Sequence, residues 1–155
     1  MKGELTGRCL CGAVTYRLND GFRLPPYACH CTDCQKRTGS AFSEHMLFSE
    51  ADIEIEGSLN EGVVTQPSGA KSRIIGCDKC MSRIYAVSDR REGFASLRCG
   101  SLDRSNEVEL AAHFWVRSKQ PWLVLPEGVP QLDTQPETSE GWVTVLTGAS
   151  QPAAE

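Results

Sequence analysis

Eight cysteines gathered into short groups constrain this 155-residue chain more than any other feature. They fall as Cys9-Leu10-Cys11, then Cys29-His30-Cys31-Thr32-Asp33-Cys34, then Cys77-Asp78-Lys79-Cys80, with Cys99 alone. A disulfide framework belongs to oxidising compartments. Residues Met1 to Arg8 lack the apolar stretch and small-residue cleavage site of a secretory signal, so the expected location is cytoplasmic. Thiols are kept reduced there, which turns the cysteine count toward metal binding or catalysis. No apolar run is long enough to cross a bilayer, and a membrane partner is not expected. A formal net charge of -4 also works against nucleic acid, whose affinity rests on Lys and Arg displacing counterions.

A C-x-x-C turn sets two sulfurs on one side of a tight loop, at the separation a tetrahedral metal requires. Two such chelates distant in sequence complete a four-sulfur site, and Cys9 and Cys11 with Cys77 and Cys80 fit that description. Such a site would staple the N-terminal strand to the middle of the chain. The bland alternative for Cys9 and Cys11 is a pair of small core residues. For Cys77 and Cys80 it is a redox dithiol, which wants a strand–turn–helix context, whereas strand-like sequence follows Cys80.

The middle group places three cysteines within six residues and leaves a tetrahedral ion one ligand short. Three protein ligands with an exchangeable fourth position is the arrangement of catalytic zinc. An entering thiol would be deprotonated there, or a carbonyl oxygen polarised, so sulfur chemistry is natural. The rival is closure by Cys99, His30 or His113, giving a second structural zinc. His30, between two proposed ligands, is expected to point away from the ion and to pack or support it. His113, in Ala111-Ala112-His113-Phe114-Trp115, reads as a hydrogen-bonded core histidine.

Strand signals dominate the remainder. Val14, Tyr16 and Leu18 alternate with polar residues, as do Ile53 and Ile55, Ile84 with Tyr85 to Val87, and Val108, Leu110 and Phe114 to Val116. Turn clusters at Asn19-Asp20-Gly21, Pro67-Ser68-Gly69 and Glu92-Gly93 break them at short intervals. The expectation is a mainly β, single domain of packed antiparallel sheets over residues 1–125. One short helix is expected after Thr32, capped by Thr32 or Asp33 and ended by Gly39. Residues 126–155 read as an extended C-terminal extension, ordered in part at most, with Trp142, Val143, Val145 and Leu146 able to form a last strand and Gln151 to Glu155 loose.

With those groups in place, the chain resembles the glutathione-dependent formaldehyde-activating enzyme family, also described as the centromere protein V or GFA domain. The resemblance spans roughly Gly7 to Trp122. It rests on Gly7-Arg8-Cys9-Leu10-Cys11-Gly12-Ala13-Val14, on Cys29-His30-Cys31 to Cys34, on Gly39 with Ala41 and Phe42, on Cys77 to Cys80, on Gly100-Ser101-Leu102-Asp103 and on Pro121-Trp122. It implies packed, strongly bent β-sheets shared with zinc-binding guanine-exchange chaperones, and two zinc ions per chain. By motif position Cys9, Cys11, Cys77 and Cys80 match the structural zinc, and Cys29, Cys31 and Cys34 the catalytic one. The implied activity is carbon–sulfur bond formation and cleavage, glutathione plus formaldehyde giving S-hydroxymethylglutathione. Two departures stand out: Met81 occupies a position where the family usually has glycine, and Cys99 one where a small or apolar residue is usual.

The leading expectation is thus a zinc-dependent carbon–sulfur lyase using glutathione as co-substrate and an aldehyde; cationic contacts for the anionic tripeptide are sought among Lys36, Arg37, Lys71, Arg73 and Arg83, with Lys36 and Arg37 favoured because they directly follow Cys34. A zinc-stabilised binding module or glutathione carrier is the alternative, and an iron–sulfur or redox protein a third. Oligomeric state is not readable from the residues.

Overall fold

The computed structural model describes residues 1–66 and 69–148. The turn expected at 67–69 therefore lies largely outside the described residues, and the end expected to be loose, 151–155, wholly so. In chain order the strands are β1 Leu5–Arg8, β2 Thr15–Leu18, β3 Tyr27–Cys29, β4 Ser43–Ser49, β5 Ile53–Glu56, β6 Leu59–Thr65, β7 Lys71–Cys77, β8 Arg83–Ser88, β9 Phe94–Arg98, β10 Ala112–Phe114 and β11 Gln131–Leu132. The helices are α1, Thr32–Thr38, and α2, Ser139–Thr147. The protein is mainly β, as expected. No helix among the described residues is long and apolar enough to cross a membrane.

The chain forms two compact units, the first from Met1–Arg23 and Met46–Val108. In this unit β1, β2 and β5 make an antiparallel sheet in that order, with Leu5 opposite Leu18 and Leu18 opposite Ile53. Alternation along these short strands turns Leu5, Tyr16 and Leu18 inward, where they meet Phe48, Ile75, Ile84 and Leu97 in one buried cluster. Each such side chain contributes about 1.5–3 kcal/mol by leaving water. A second run of hairpins follows the order β9-β8-β7-β6, all antiparallel. These hairpins have a direct consequence for the cysteines: Cys9 and Cys11 sit in the β1–β2 connection, and Cys77 and Cys80 at the β7–β8 turn.

The second unit comprises Leu24–His45 and the residues from Glu109 onward. Its strands run β11-β10-β3-β4. The expected antiparallel pairing holds for β3 with β4, and the one departure here is β10, which pairs both β3 and β11 parallel. Parallel neighbours need a long crossover, and most of the chain separates β3 from β10. The strand expected through Val116 stops at Phe114, because Trp115 adopts a left-handed backbone (φ 61°) and Val116–Ser118 coil into a 3-10 turn.

The strand expected at Trp142 to Leu146 is likewise corrected: the segment is helical, so the described residues contain two α-helices. Thr138 caps α2 by accepting the Gly141 N–H, Gly148 ends it in a left-handed conformation, and the buried Trp142 and Leu146 are spaced four apart on one face. The β-branched Val143 and Val145 suggest a strand, but caps and burial of that stripe decide otherwise.

Candidate metal centres

Two groups of side chains bring metal-ligating atoms within 4.8 Å of one another: Cys9, Cys11, Cys77 and Cys80 in the first unit, and Cys29, Cys31 and Cys34 in the second. In the four-sulfur group Cys9 Sγ lies 3.6 Å from Cys11 Sγ, and Cys11 Sγ 3.8 Å from Cys77 Sγ. A tetrahedral ion with bonds of 2.3 Å spaces its sulfurs about 3.8 Å apart, which these two separations match, so the donor chemistry fits zinc. Backbone amides also face the sulfurs: Val14 N–H donates to Cys9 Sγ at 3.2 Å and Lys79 N–H to Cys77 Sγ at 3.4 Å. The Ser82 hydroxyl, 3.2 Å from Cys80 Sγ, pulls that thiol down to about 5.

Met81 follows directly and takes φ 60°, the conformation a glycine would supply, while its N–H reaches Cys77 O at 3.0 Å. The turn beyond this cluster therefore keeps its shape despite the methionine, at the cost of a left-handed backbone for an L-residue. Cys99 is wholly buried in the core of the same unit, between Leu97 and Leu102 in sequence and clustered with both.

The three-sulfur group is built on β3 and α1. Cys29 ends β3, and α1 begins with Cys31 as its N-cap, a correction to the expectation that Thr32 or Asp33 would cap it. The Cys31 sulfur accepts the Cys34 N–H at 3.3 Å, so the cap and the candidate metal donor are one atom. Gly39 closes the helix as expected, at φ 66°. One turn of helix thus returns Cys34 beside Cys31, and the Cys29 and Cys34 thiols draw the Cys31 thiol far below its ordinary range while Cys29 is pushed far up. Adjacent thiols share a single negative charge in this way because two thiolates in contact repel; a dication among them removes the conflict. The donor chemistry therefore fits zinc.

The intervening His30 does not join the sulfurs. Its N–H donates to Phe114 O at 2.9 Å, and its carbonyl accepts from Gln35 Nε2 at 2.8 Å and Ser118 Oγ at 3.0 Å. Its ring is buried, with Nε2 2.9 Å from His113 Nδ1, and burial followed by the nearby His113 lowers it to about 4. His113 is also buried, and burial lowers it too. The two rings pack on each other in the interior, and the hydrogen bonds of the His30 main chain are what hold the Cys29–Cys31 backbone.

Sequence reasoning passed over His45. It is buried on β4, opposite Tyr27 in register, and its Nε2 lies 3.6 Å from Cys34 Sγ. Among the described residues no fourth His, Cys or carboxylate atom lies within 4.8 Å of all three sulfurs, so His45 touches one ligand without completing the set. No local motif marks it; only cross-strand register brings it to the cluster. Lys36 is exposed and lines an open depression of about 480 Å³ with Gln35, Gly39, Ser40, Ala41, Gln120 and Trp122. Arg37 is half-buried on the same helix and does not line it.

A family model described as "Glutathione-dependent formaldehyde-activating enzyme" matches residues 4–118, about three-quarters of the chain. No curated protein matches. Among solved structures, a Rhodobacter sphaeroides protein determined by structural genomics is similar at 18% identity with a TM-score of 0.49, covering 68% of this chain and 96% of that one.

Proposed function

We propose a zinc-dependent carbon–sulfur lyase activity for this chain, which belongs to the glutathione-dependent formaldehyde-activating enzyme family. The reaction joins glutathione and formaldehyde, or a related aldehyde, into an S-hydroxyalkyl adduct, and reverses it. The glutathione sulfur forms a bond to the carbonyl carbon as the C=O π bond opens. The carbonyl oxygen gains a proton and the thiol loses one, so nothing is oxidised or reduced. The observation that carries this reading is the three-sulfur group, Cys29, Cys31 and Cys34, with no fourth protein donor among the described residues within 4.8 Å of all three.

A zinc ion held by these three cysteines would supply a vacant position at which a substrate thiol is a thiolate at neutral pH. The chain's own residues provide the frame. The backbone of His30 is held at both its N–H and its carbonyl, which fixes the angle between Cys29 and Cys31. Cys31 and Cys34 are locked to each other by the helix cap. Lys36, beside the open depression, offers a positive charge to the carboxylates of glutathione, and Arg37 adds to the field from the same turn. Cys9, Cys11, Cys77 and Cys80 play the structural part, holding the β1–β2 and β7–β8 connections together.

The test is metal analysis of the wild type beside Cys31→Ser, with turnover measured on glutathione and formaldehyde. We expect two zinc ions in the wild type, one in the variant, and loss of turnover. X-ray absorption of the second ion should show three sulfurs plus a lighter atom, and a fourth sulfur when glutathione is added. A variant retaining both ions and full turnover would overturn the assignment. A non-catalytic module would instead show four protein ligands at both ions and no response to glutathione.

A further inference from the structure

The family match ends at residue 118, yet helix α2 lies beyond it and is packed into the second unit. Trp142 is 7% exposed, and its ring meets two others edge-on: Tyr27 at 5.1 Å and 67°, and Phe114 at 4.9 Å and 78°. Tyr27 and Phe114 also touch each other, at 5.0 Å. Each is one step from the three-sulfur group. Tyr27 stacks flat on His45, with centroids 5.3 Å apart and planes at 15°, and His45 Nε2 is 3.6 Å from Cys34 Sγ. Phe114 lies in register with Cys29 on the adjacent parallel strand, and its carbonyl receives the His30 N–H.

We propose that Trp142 on α2 is a positioning residue for the three-cysteine site, acting through Tyr27–His45 on Cys34 and through Phe114 on Cys29. Edge-to-face rings favour fixed angles as well as burying area, so the indole holds Tyr27 against His45. A large side chain removed from such a place leaves neighbours that relax only partly. The groups supporting a metal's ligands set their orientation, and losing one lowers metal affinity by on the order of 10–100-fold. The segment outside the family match would therefore tune the metal site inside it. This role for Trp142 rests on the three cysteines holding an ion, but not on the lyase chemistry.

The test uses the full chain loaded with cobalt(II), whose thiolate absorption reports each ion, titrated with a competing chelator. Wild type, Trp142→Phe, Trp142→Leu and Trp142→Ala are compared, each with its Tm. In Trp142→Ala one equivalent should leave at a chelator concentration on the order of 10–100-fold lower than in wild type. The retained ion should keep a four-sulfur spectrum, and Trp142→Phe should restore the wild-type titration. In a Cys31→Ser background, where only the four-sulfur ion remains, Trp142→Ala should leave the titration unchanged. If both equivalents loosen together in step with the fall in Tm, or if neither loosens, the proposal is overturned. Should Trp142→Ala fail to fold, Trp142→Leu takes its place and is read in the same way. A wild type that takes up only one equivalent would overturn the metal reading itself, and the role of Trp142 with it.

Discussion

Replacing Cys77 by serine should destabilise this protein far more than replacing Cys31, although each change removes one proposed metal ligand. The reason is the length of chain each ion closes. Cys11 Sγ and Cys77 Sγ lie 3.8 Å apart but are separated by 66 positions in sequence. An ion between them constrains the unfolded chain as a cross-link does, and a loop of that size corresponds to about 4 kcal/mol at 25 °C. In a protein of this length each kcal/mol moves Tm by about 2–4 °C, so Cys77→Ser should lower Tm by about 8–16 °C. Cys29, Cys31 and Cys34 span six consecutive residues and close no long loop, so Cys31→Ser should cost only a few degrees, on the order of 1 kcal/mol. Calorimetry of the zinc-loaded wild type and both variants decides it. A strong chelator added to the wild type should bring its Tm near that of Cys77→Ser and leave Cys77→Ser little changed. Equal shifts in the two variants, or a larger one for Cys31→Ser, would refute the division into a stapling ion and a working ion.

Two smaller perturbations test particular residues. Met81→Gly removes an exposed side chain from a φ 60° position, so it should stabilise the fold by about 0.5–1 kcal/mol and raise Tm by about 1–4 °C, read in the same melts. Lys36→Met should raise KM for glutathione about 1.4- to fivefold with kcat unchanged, since an exposed charge contact is worth about 0.2–1 kcal/mol and acts on binding rather than on the reacting bond; a change confined to kcat would place Lys36 elsewhere in the mechanism.

Much of the candidate chemistry was legible because its geometry is local. Two cysteines within four residues must lie close whatever surrounds them, and three within six must crowd, so the chelating groups follow from spacing alone. The alternating Tyr16 and Leu18, or Ile53 and Ile55, likewise carry their strand in the period of their side chains. What spacing cannot supply is the partner across the sheet. The parallel pairing of β10 with β3 joins residues far apart along the chain, and the arrival of His45 at Cys34 follows from the β3–β4 register rather than from any local spacing. Even α1 shows this limit: its position was readable, but its cap was not, because Thr32 and Asp33 are the commoner capping residues and the Cys31 sulfur took the role.

The amino-acid order by itself determined which cysteines lie close enough to act as chelating groups, and most of the short strands. The tertiary structure decided that Trp142 and its neighbours coil into a helix, and that its ring reaches Tyr27 and Phe114. The physical reason is that a chelate or a strand period is enforced by bond lengths within a few residues. Helix against strand for a short apolar segment is settled by which buried surface it can fill, and that surface exists only once distant parts of the chain have met.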